Sequence, residues 1–280
     1  MLNRSTFVAY CVLSFWLLGH AEELALGQEI IAHRGASYAA PENTMAAFEL
    51  AWQEQADGVE GDFYYTKDGQ IVCIHDADTA RTAGVKKLVA SSTLAELREL
   101  EYGSWKDAKF AGEPLPTFAE VLAAMPAGKT FVIELKTGPE IVPLLVAELK
   151  QQQPNWDDLL IISFKADTVK ACKQQLPGVK AHWLTSYRRD KETGEMKPTA
   201  AQVIKTLQDC SADGLGTRGD RNVVTKEFIA ELRAGGMPEF HVWTIDNPDD
   251  AKYFQELGAM GITTNRPADI REAITPVLAQ

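Results

Sequence analysis

Between residues 33 and 76 the chain carries His33, Arg34, Glu42, Glu60, Asp62, His75 and Asp76, in the strings H-R-G-A, P-E-N-T, E-G-D, T-K-D-G and H-D. Imidazoles can take and give protons near neutral pH, clustered carboxylates can hold a hard divalent cation, and a guanidinium can grip a phosphate through two parallel hydrogen bonds. Together these groups are suited to metal-assisted chemistry at phosphorus. Glu60 and Asp62 are two residues apart on an apolar run, so a strand turns both to one side while Val59 and Phe63 seal the other. Two buried like charges that close need a cation or a proton between them. Glu134, in V-I-E-L-K, can add a third oxygen. The alternative is a hydrogen-bonded carboxylate pair without metal. His33 and His75 would form an acid–base pair flanking the acids, with Arg34 and Lys136 on the phosphate oxygens. Glu42 either orients a neighbouring Arg or His or favours the N-terminus of the following helix, for which Asn43 is the expected cap.

These groups converge only if the chain brings strand ends together. Eight short apolar runs read as strands: Glu29–Ala32, Gly58–Asp62, Phe131–Leu135, Leu160–Ser163, Ala181–Leu184, Gly214–Gly216, His241–Thr244 and Gly261–Thr263. Helical patterns lie between them, at Thr44–Gln55, Thr117–Ala124, Glu140–Gln151, Asp167–Gln174, Ala200–Gln208, Lys226–Ala234 and Pro248–Glu256. This alternation predicts an α/β fold, a (β/α)8 TIM barrel, with a doubly wound open sheet as the alternative. In such a barrel the C-terminal strand ends share one mouth. Besides the residues above, that places Ser163, Lys165, Thr217, Arg218, Trp243 and Asn265 there, with Trp243 as an apolar wall. His182 and His241 begin or enter strands and are expected away from the mouth, in structural roles.

Two segments break the alternation. Thr66–Gly69 is a turn signal followed at once by a second apolar run, which only a hairpin accommodates. Pairing Tyr65 with Ile71 sets Phe63 opposite Cys73 and Gly61 opposite His75, bringing His75 back beside Glu60 and Asp62. Residues 76–116 then form an excursion above the mouth, including a helical run at Thr93–Leu100, and read as a possible site wall rather than a second domain. The polar stretch Tyr187–Lys197 reads as a long loop.

The 280 residues suit one catalytic domain over residues 28–280, preceded by a signal peptide over residues 1–21. Arg4 supplies the positive start, Phe7–Leu18 the apolar run, and Gly19-His20-Ala21 the small residues for cleavage, with Ala25-Leu26-Gly27 a second cleavage point. The run is short for a membrane span, so no stable span remains after cleavage, and a secreted or periplasmic location follows. The alternative is an uncleaved N-terminal anchor. A net charge of −11 argues against a nucleic-acid partner. Cys11 would leave with the signal, and Cys73, Cys172 and Cys210 show no metal-binding spacing and allow at most one disulfide.

The string H-R-G-A-S-Y-A-A-P-E-N-T, followed by E-G-D, T-K-D-G and H-D, resembles the glycerophosphodiester phosphodiesterase family. L-P-T-F-A-E-V-L, I-E-L-K, S-F, V-W-T-I-D and G-I-T-T-N-R-P extend the likeness over residues 29–270. The resemblance implies a (β/α)8 barrel that hydrolyses small glycerophosphodiesters to glycerol 3-phosphate and an alcohol with one divalent cation, calcium or magnesium. It implies His33 and His75 as the acid–base pair, Glu60, Asp62 and Glu134 as metal ligands, and Arg34 and Lys136 as phosphate-binding residues. Tyr38 stands where the family commonly has Gly, and Asn265 where it usually has Asp; neither is expected to touch the acid–base pair or the ligands. Alternative readings are a phospholipase-D-like enzyme acting on lysophospholipid or sphingomyelin, and a non-catalytic barrel that only binds.

Overall fold

The computed structural model describes residues 28–275; the segment read as a signal peptide lies outside the described residues. Eight parallel strands close into a barrel: β1 (Glu29–His33), β2 (Gly58–Tyr65), β4 (Thr130–Leu135), β5 (Leu159–Ser163), β6 (Lys180–Thr185), β9 (Gly214–Arg218), β10 (Glu239–Trp243) and β11 (Gly261–Thr264). Pairing of β1 with both β2 and β11 closes the ring and rules out the open sheet. Every strand in the expected set forms. The helices α1 (Met45–Gln53), α4 (Phe118–Ala123), α5 (Val142–Gln152), α6 (Ala166–Gln175), α7 (Ala200–Cys210), α8 (Lys226–Ala234) and α9 (Pro248–Glu256) follow the apolar periodicity. A further helix, α10 (Pro267–Ile274), was not read from the sequence; it starts at a proline and buries Ile270 and Ile274.

Most of the core lies between barrel and helices. Phe63, Phe118 and Phe131 meet there, with Phe63 edge-on to both partners at 5.3 and 5.8 Å between ring centres. That packing fixes which side of β2 faces outward, and so turns Glu60 and Asp62 into the barrel. The interior has a small apolar layer of Ile31, Val132, Leu160, Ile162 and Leu184, against which Trp243 packs.

β3 (Ile71–Cys73) folds back on β2 in the expected register, Tyr65 opposite Ile71 and Phe63 opposite Cys73. The excursion contains the short helices α2 (Ala80–Ala83) and α3 (Leu94–Leu97) and 3-10 turns at Val89–Ser91 and Ala108–Phe110, so the longer run expected at residues 93–100 is cut to one turn. It buries Val89, Leu97, Tyr102 and Leu115 against Val72 and Ile74 of the hairpin, a small satellite core. The stretch at residues 187–197 is not simply a loop: β7 (Arg188–Arg189) and β8 (Met196–Lys197) pair as a small hairpin. Cys73, Cys172 and Cys210 are buried free thiols. Among the described residues, no helix is long and apolar enough to cross a membrane.

Candidate active site

His33 is the last residue of β1 and pairs in register with Glu60. The chain then turns through Arg34 and Gly35, both at positive φ. A Cβ on Gly35 would fall 2.5 Å from the backbone of Ala47, so only glycine lets this turn close on α1. The turn aims the Arg34 backbone N–H at Glu60 Oε2, 2.9 Å away. Its guanidinium lies between Glu42, with Nη1 2.9 Å from Oε1, and Asp62, with Nε 3.0 Å from Oδ2.

Asn43 is not the helix cap expected of it. Thr44 takes that place, its hydroxyl accepting from Ala47 N–H. Asn43 sits at φ 58° and is spent on Asp62: its Nδ2 donates to Asp62 Oδ2 at 2.8 Å, and its Oδ1 accepts from Asp62 N–H at 3.1 Å and from the Cys73 thiol at 3.2 Å. Glu42 orients arginines, and two of them: Arg81 of α2 donates to both its oxygens, at 2.7 and 2.8 Å. Arg81 also donates to Asp76 at 2.6 Å, and Asp76 accepts from His75 Nδ1 at 2.8 Å. Sequence reading missed Arg81. The excursion thus supports the site from behind, and none of its residues lines the cavity.

Glu60, Asp62 and Glu134 bring carboxylate oxygens within 4.8 Å of one another. Lys136 Nζ bridges Glu134 Oε1, at 2.7 Å, and Asp62 Oδ1, at 3.0 Å. Glu60 Oε1 is buried and has no hydrogen-bond partner among the described residues. Burial and the neighbouring Asp62 and Glu134 push the Glu60 carboxyl well above its ordinary pKa. Burial and Asp62 raise that of Glu134 to about 7. Asp62 is also buried, but Lys136 and Arg34 outweigh the burial and hold it low. With all three acids ionised, they outnumber Lys136 and Arg34 by one negative charge, and Glu60 Oε1 is left idle. A divalent hard cation fits both deficits: Glu60, Asp62 and Glu134 would hold it, in competition with Lys136 for two of them.

The two imidazoles are held alike. His33 Nδ1 lies 2.8 Å from Asn265 Oδ1. The other end of that amide donates to Asp246 Oδ2 at 2.6 Å, so Oδ1 must face His33, and His33 carries its proton on Nδ1. The sequence-based expectation that Asn265 stays clear of the acid–base pair is therefore wrong; it orients one member. Asp76 fixes His75 in the same sense. In both residues Nε2 is the nitrogen left for the cavity, which the two histidines line together with Arg34, Glu60, Glu134, Lys136 and Trp243. Trp243 is at the mouth as expected, edge-on to Phe164 at 5.4 Å. Tyr38 is exposed and stacks under Arg266. Ser163 is spent on Leu135 O and Thr217 on Tyr187, while Lys165 and Arg218 are exposed, so none of these four joins the site. His241 does line the cavity, contrary to its expected place away from the mouth.

Burial and the charge of Arg34 depress His33 to about 4. A base with a lowered folded pKa favours folding above its unfolded pKa, near 6.5, and loses that contribution as pH falls toward 4. Between pH 7 and 5 the ion-free protein should lose about 2 kcal/mol more stability than His33→Gln, whose amide does not titrate. Urea unfolding in chelator at the two pH values measures this; equal losses would place His33 in contact with water.

A larger surface groove of about 750 Å³ lies beside the β7–β8 hairpin, lined by residues such as Arg188, Asp190, Lys197 and Lys205. It brings no acid–base pair together, and Lys197 and Lys205 are paired to Glu195 and Asp209.

Residues 33–269 match the glycerophosphoryl diester phosphodiesterase family. The chain is 32% identical over 245 residues to a glycerophosphodiester phosphodiesterase of Caldanaerobacter subterraneus, covering 85% of this chain and 94% of the relative. A Bacillus subtilis enzyme of the same name is 29% identical over 255 residues, covering 85% and 83%. Among solved structures, an Oleispira antarctica phosphodiesterase in complex with the product sn-glycerol-3-phosphate superposes with a TM-score of 0.77 at 27% identity, over 88% of this chain and 96% of that one. With its closed barrel and its H-R-G, E-G-D and I-E-L-K groups gathered at one mouth, the chain belongs to the glycerophosphoryl diester phosphodiesterase family.

Proposed function

We propose that the protein is a metal-dependent, exported hydrolase that cleaves small glycerophosphodiesters to glycerol 3-phosphate and an alcohol. The single observation that supports this most is the convergence of two Nδ1-anchored imidazoles, His33 and His75, on a cavity lined by Glu60 and Glu134, two of the three clustered carboxylates. Arg34 and Lys136 line the same cavity and bind the phosphate oxygens there. Bound at Glu60, Asp62 and Glu134, a calcium or magnesium ion supplies charge stabilisation at the phosphoryl group.

His33, held neutral, takes the proton from the attacking oxygen through Nε2. A P–O bond forms, the bond to the leaving alcohol breaks, and His75, entering the step as an imidazolium with its Nδ1–H on Asp76, gives its Nε2 proton to the departing alkoxide. The nucleophile is water, or the 2-hydroxyl of the glycerol itself; in the second case a cyclic phosphate appears first and water opens it. Trp243 and Phe164 form an apolar wall at the rim, for the alcohol moiety. The cavity is about 170 Å³, a size for a three-carbon phosphate rather than a lipid tail, and this favours glycerophosphodiesters over lysophospholipid or sphingomyelin. Export rests on the apolar run at Phe7–Leu18, and fractionation of the producing cell tests it.

Assaying glycerophosphocholine against lysophosphatidylcholine, in each case with calcium or magnesium, tests the substrate. Glycerol 3-phosphate should be released from the first at least tenfold faster than lysophosphatidic acid from the second. The reverse order would favour the phospholipase-D-like reading, and no turnover of either the binding-only barrel.

A further inference from the structure

Beneath the carboxylate cluster the barrel interior holds a second polar group with no part in the mechanism above. Strand β10 turns Glu239, His241 and Trp243 to one side, and His182 of β6 stands opposite Gly214 of β9. Beside the two rings β9 offers Gly214 and Gly216. A Cβ at Gly214 would lie 2.5 Å from His182 Nε2, and one at Gly216 would lie 2.6 Å from His241 Nε2. The glycines are the space in which the two rings stand. His182 is fully buried and His241 is 4% exposed. The rings stack at 5.2 Å between centres, with 3.0 Å between their Nδ1 atoms, and His182 Nε2 is 3.0 Å from Glu239 Oε1. At the top of this column His241 Nε2 is buried, lines the cavity, and has no partner among the described residues.

The protons in the column follow from its lower end. Glu239 is partly buried, but hydrogen bonds from His182 and Lys180 hold it down at about 2, so it is a carboxylate and only accepts. His182 Nε2 must therefore carry a proton. With one proton per ring, His182 Nδ1 is bare and His241 Nδ1 donates to it, which leaves a bare lone pair on His241 Nε2. An extra proton on His241 is opposed by burial. A lone pair repels phosphate oxygens and attracts a hydroxyl. Below the carboxylates, away from the Trp243–Phe164 rim where the head group leaves, the group that reaches it is a hydroxyl of the glycerol moiety.

We propose that His241 Nε2 is the floor acceptor for a glycerol hydroxyl, with His182 and Glu239 as positioning residues that fix its tautomer. The proposal rests on the phosphodiesterase reading above and adds a specificity residue to it. ¹⁵N–¹H correlation of the full chain, labelled at histidine, with calcium or magnesium present, should show His241 protonated on Nδ1 and bare on Nε2. Adding glycerol 3-phosphate should shift that Nε2 resonance, and Glu239→Leu should mix the two tautomers at His241, which loss of packing alone would not do.

In parallel, calorimetry should give His241→Phe about tenfold weaker binding of glycerol 3-phosphate, the worth of one neutral hydrogen bond. Its affinity for one of the two analogues lacking a single hydroxyl (the phosphates of 1,3-propanediol and 1,2-propanediol) should stay as in wild type. A protonated Nε2 on His241, or unchanged affinity in His241→Phe, overturns the proposal even if the variant folds poorly, since the resonance is read in wild type. Wild-type protein that binds no glycerol 3-phosphate at all would overturn this and the phosphodiesterase reading together; normal wild-type binding with an unresponsive His241 would overturn this one alone.

Discussion

Replacing His75 with Asn lowers turnover of glycerophosphocholine by a factor of about 10²–10⁴, while KM changes little. The size follows from losing one proton transfer in the transition state, the usual worth of a positioned acid or base. The split follows from geometry. The proposed phosphate ligands, Arg34 and Lys136, follow other strands than His75, so ground-state binding should survive. His33→Asn falls in the same range. The pair acts on one displacement, so the double variant should lose little more than the worse single one. A less than tenfold loss in both single variants would remove them from the chemistry. Asp76→Asn gives a smaller loss, since it leaves His75 in place but weakens the acceptor that keeps its proton on Nδ1.

Glu60→Gln abolishes metal-dependent turnover and at the same time makes the ion-free protein more stable at neutral pH. Both effects come from the same oxygen. Glu60 Oε1 is buried without a partner among the described residues, and burial with Asp62 and Glu134 pushes its carboxyl up. An acid with a raised folded pKa favours folding most below its unfolded pKa, near 4.5, and loses that advantage as pH rises toward the folded value. As pH rises past 4.5 that advantage falls away, and the amide, which does not titrate, avoids the loss. A gain of about 1–3 kcal/mol is expected in chelator, shrinking toward pH 4.5. Calcium or magnesium should then raise the melting temperature of wild type but not of the variant. A variant less stable than wild type in chelator at pH 8 would mean that the carboxylates are not in conflict, and that no ion is needed to reconcile them.

The parts of this site that follow local rules were legible in the sequence. The period-two spacing of Glu60 and Asp62, the tight turn at Thr66–Gly69 and the apolar strand runs each depend on neighbours in the chain. They led to the barrel, the hairpin register and the convergence of His33, His75 and Glu134. What was not legible depends on contacts across the fold. Arg81 reaches Glu42 from 39 residues away, and Asn265 reaches His33 from 232. Asn43 looked like a cap because asparagine caps helices well, but its positive φ carries the side chain to Asp62 instead. His241 looked structural because it read as the first residue of its strand, whereas β10 begins at Glu239. Its exposure to the cavity depends on Gly216 of the neighbouring strand leaving room, which only the register of β9 against β10 decides.

Glycerol 3-phosphate release from glycerophosphocholine, measured on one preparation as isolated, after chelation, and after adding back calcium or magnesium, bears most directly on the central claim. The account predicts turnover that falls at least a hundredfold on chelation and returns with one of the two ions, in wild type but not in Glu60→Gln. Undiminished release in chelator, or release by Glu60→Gln equal to wild type, would contradict it.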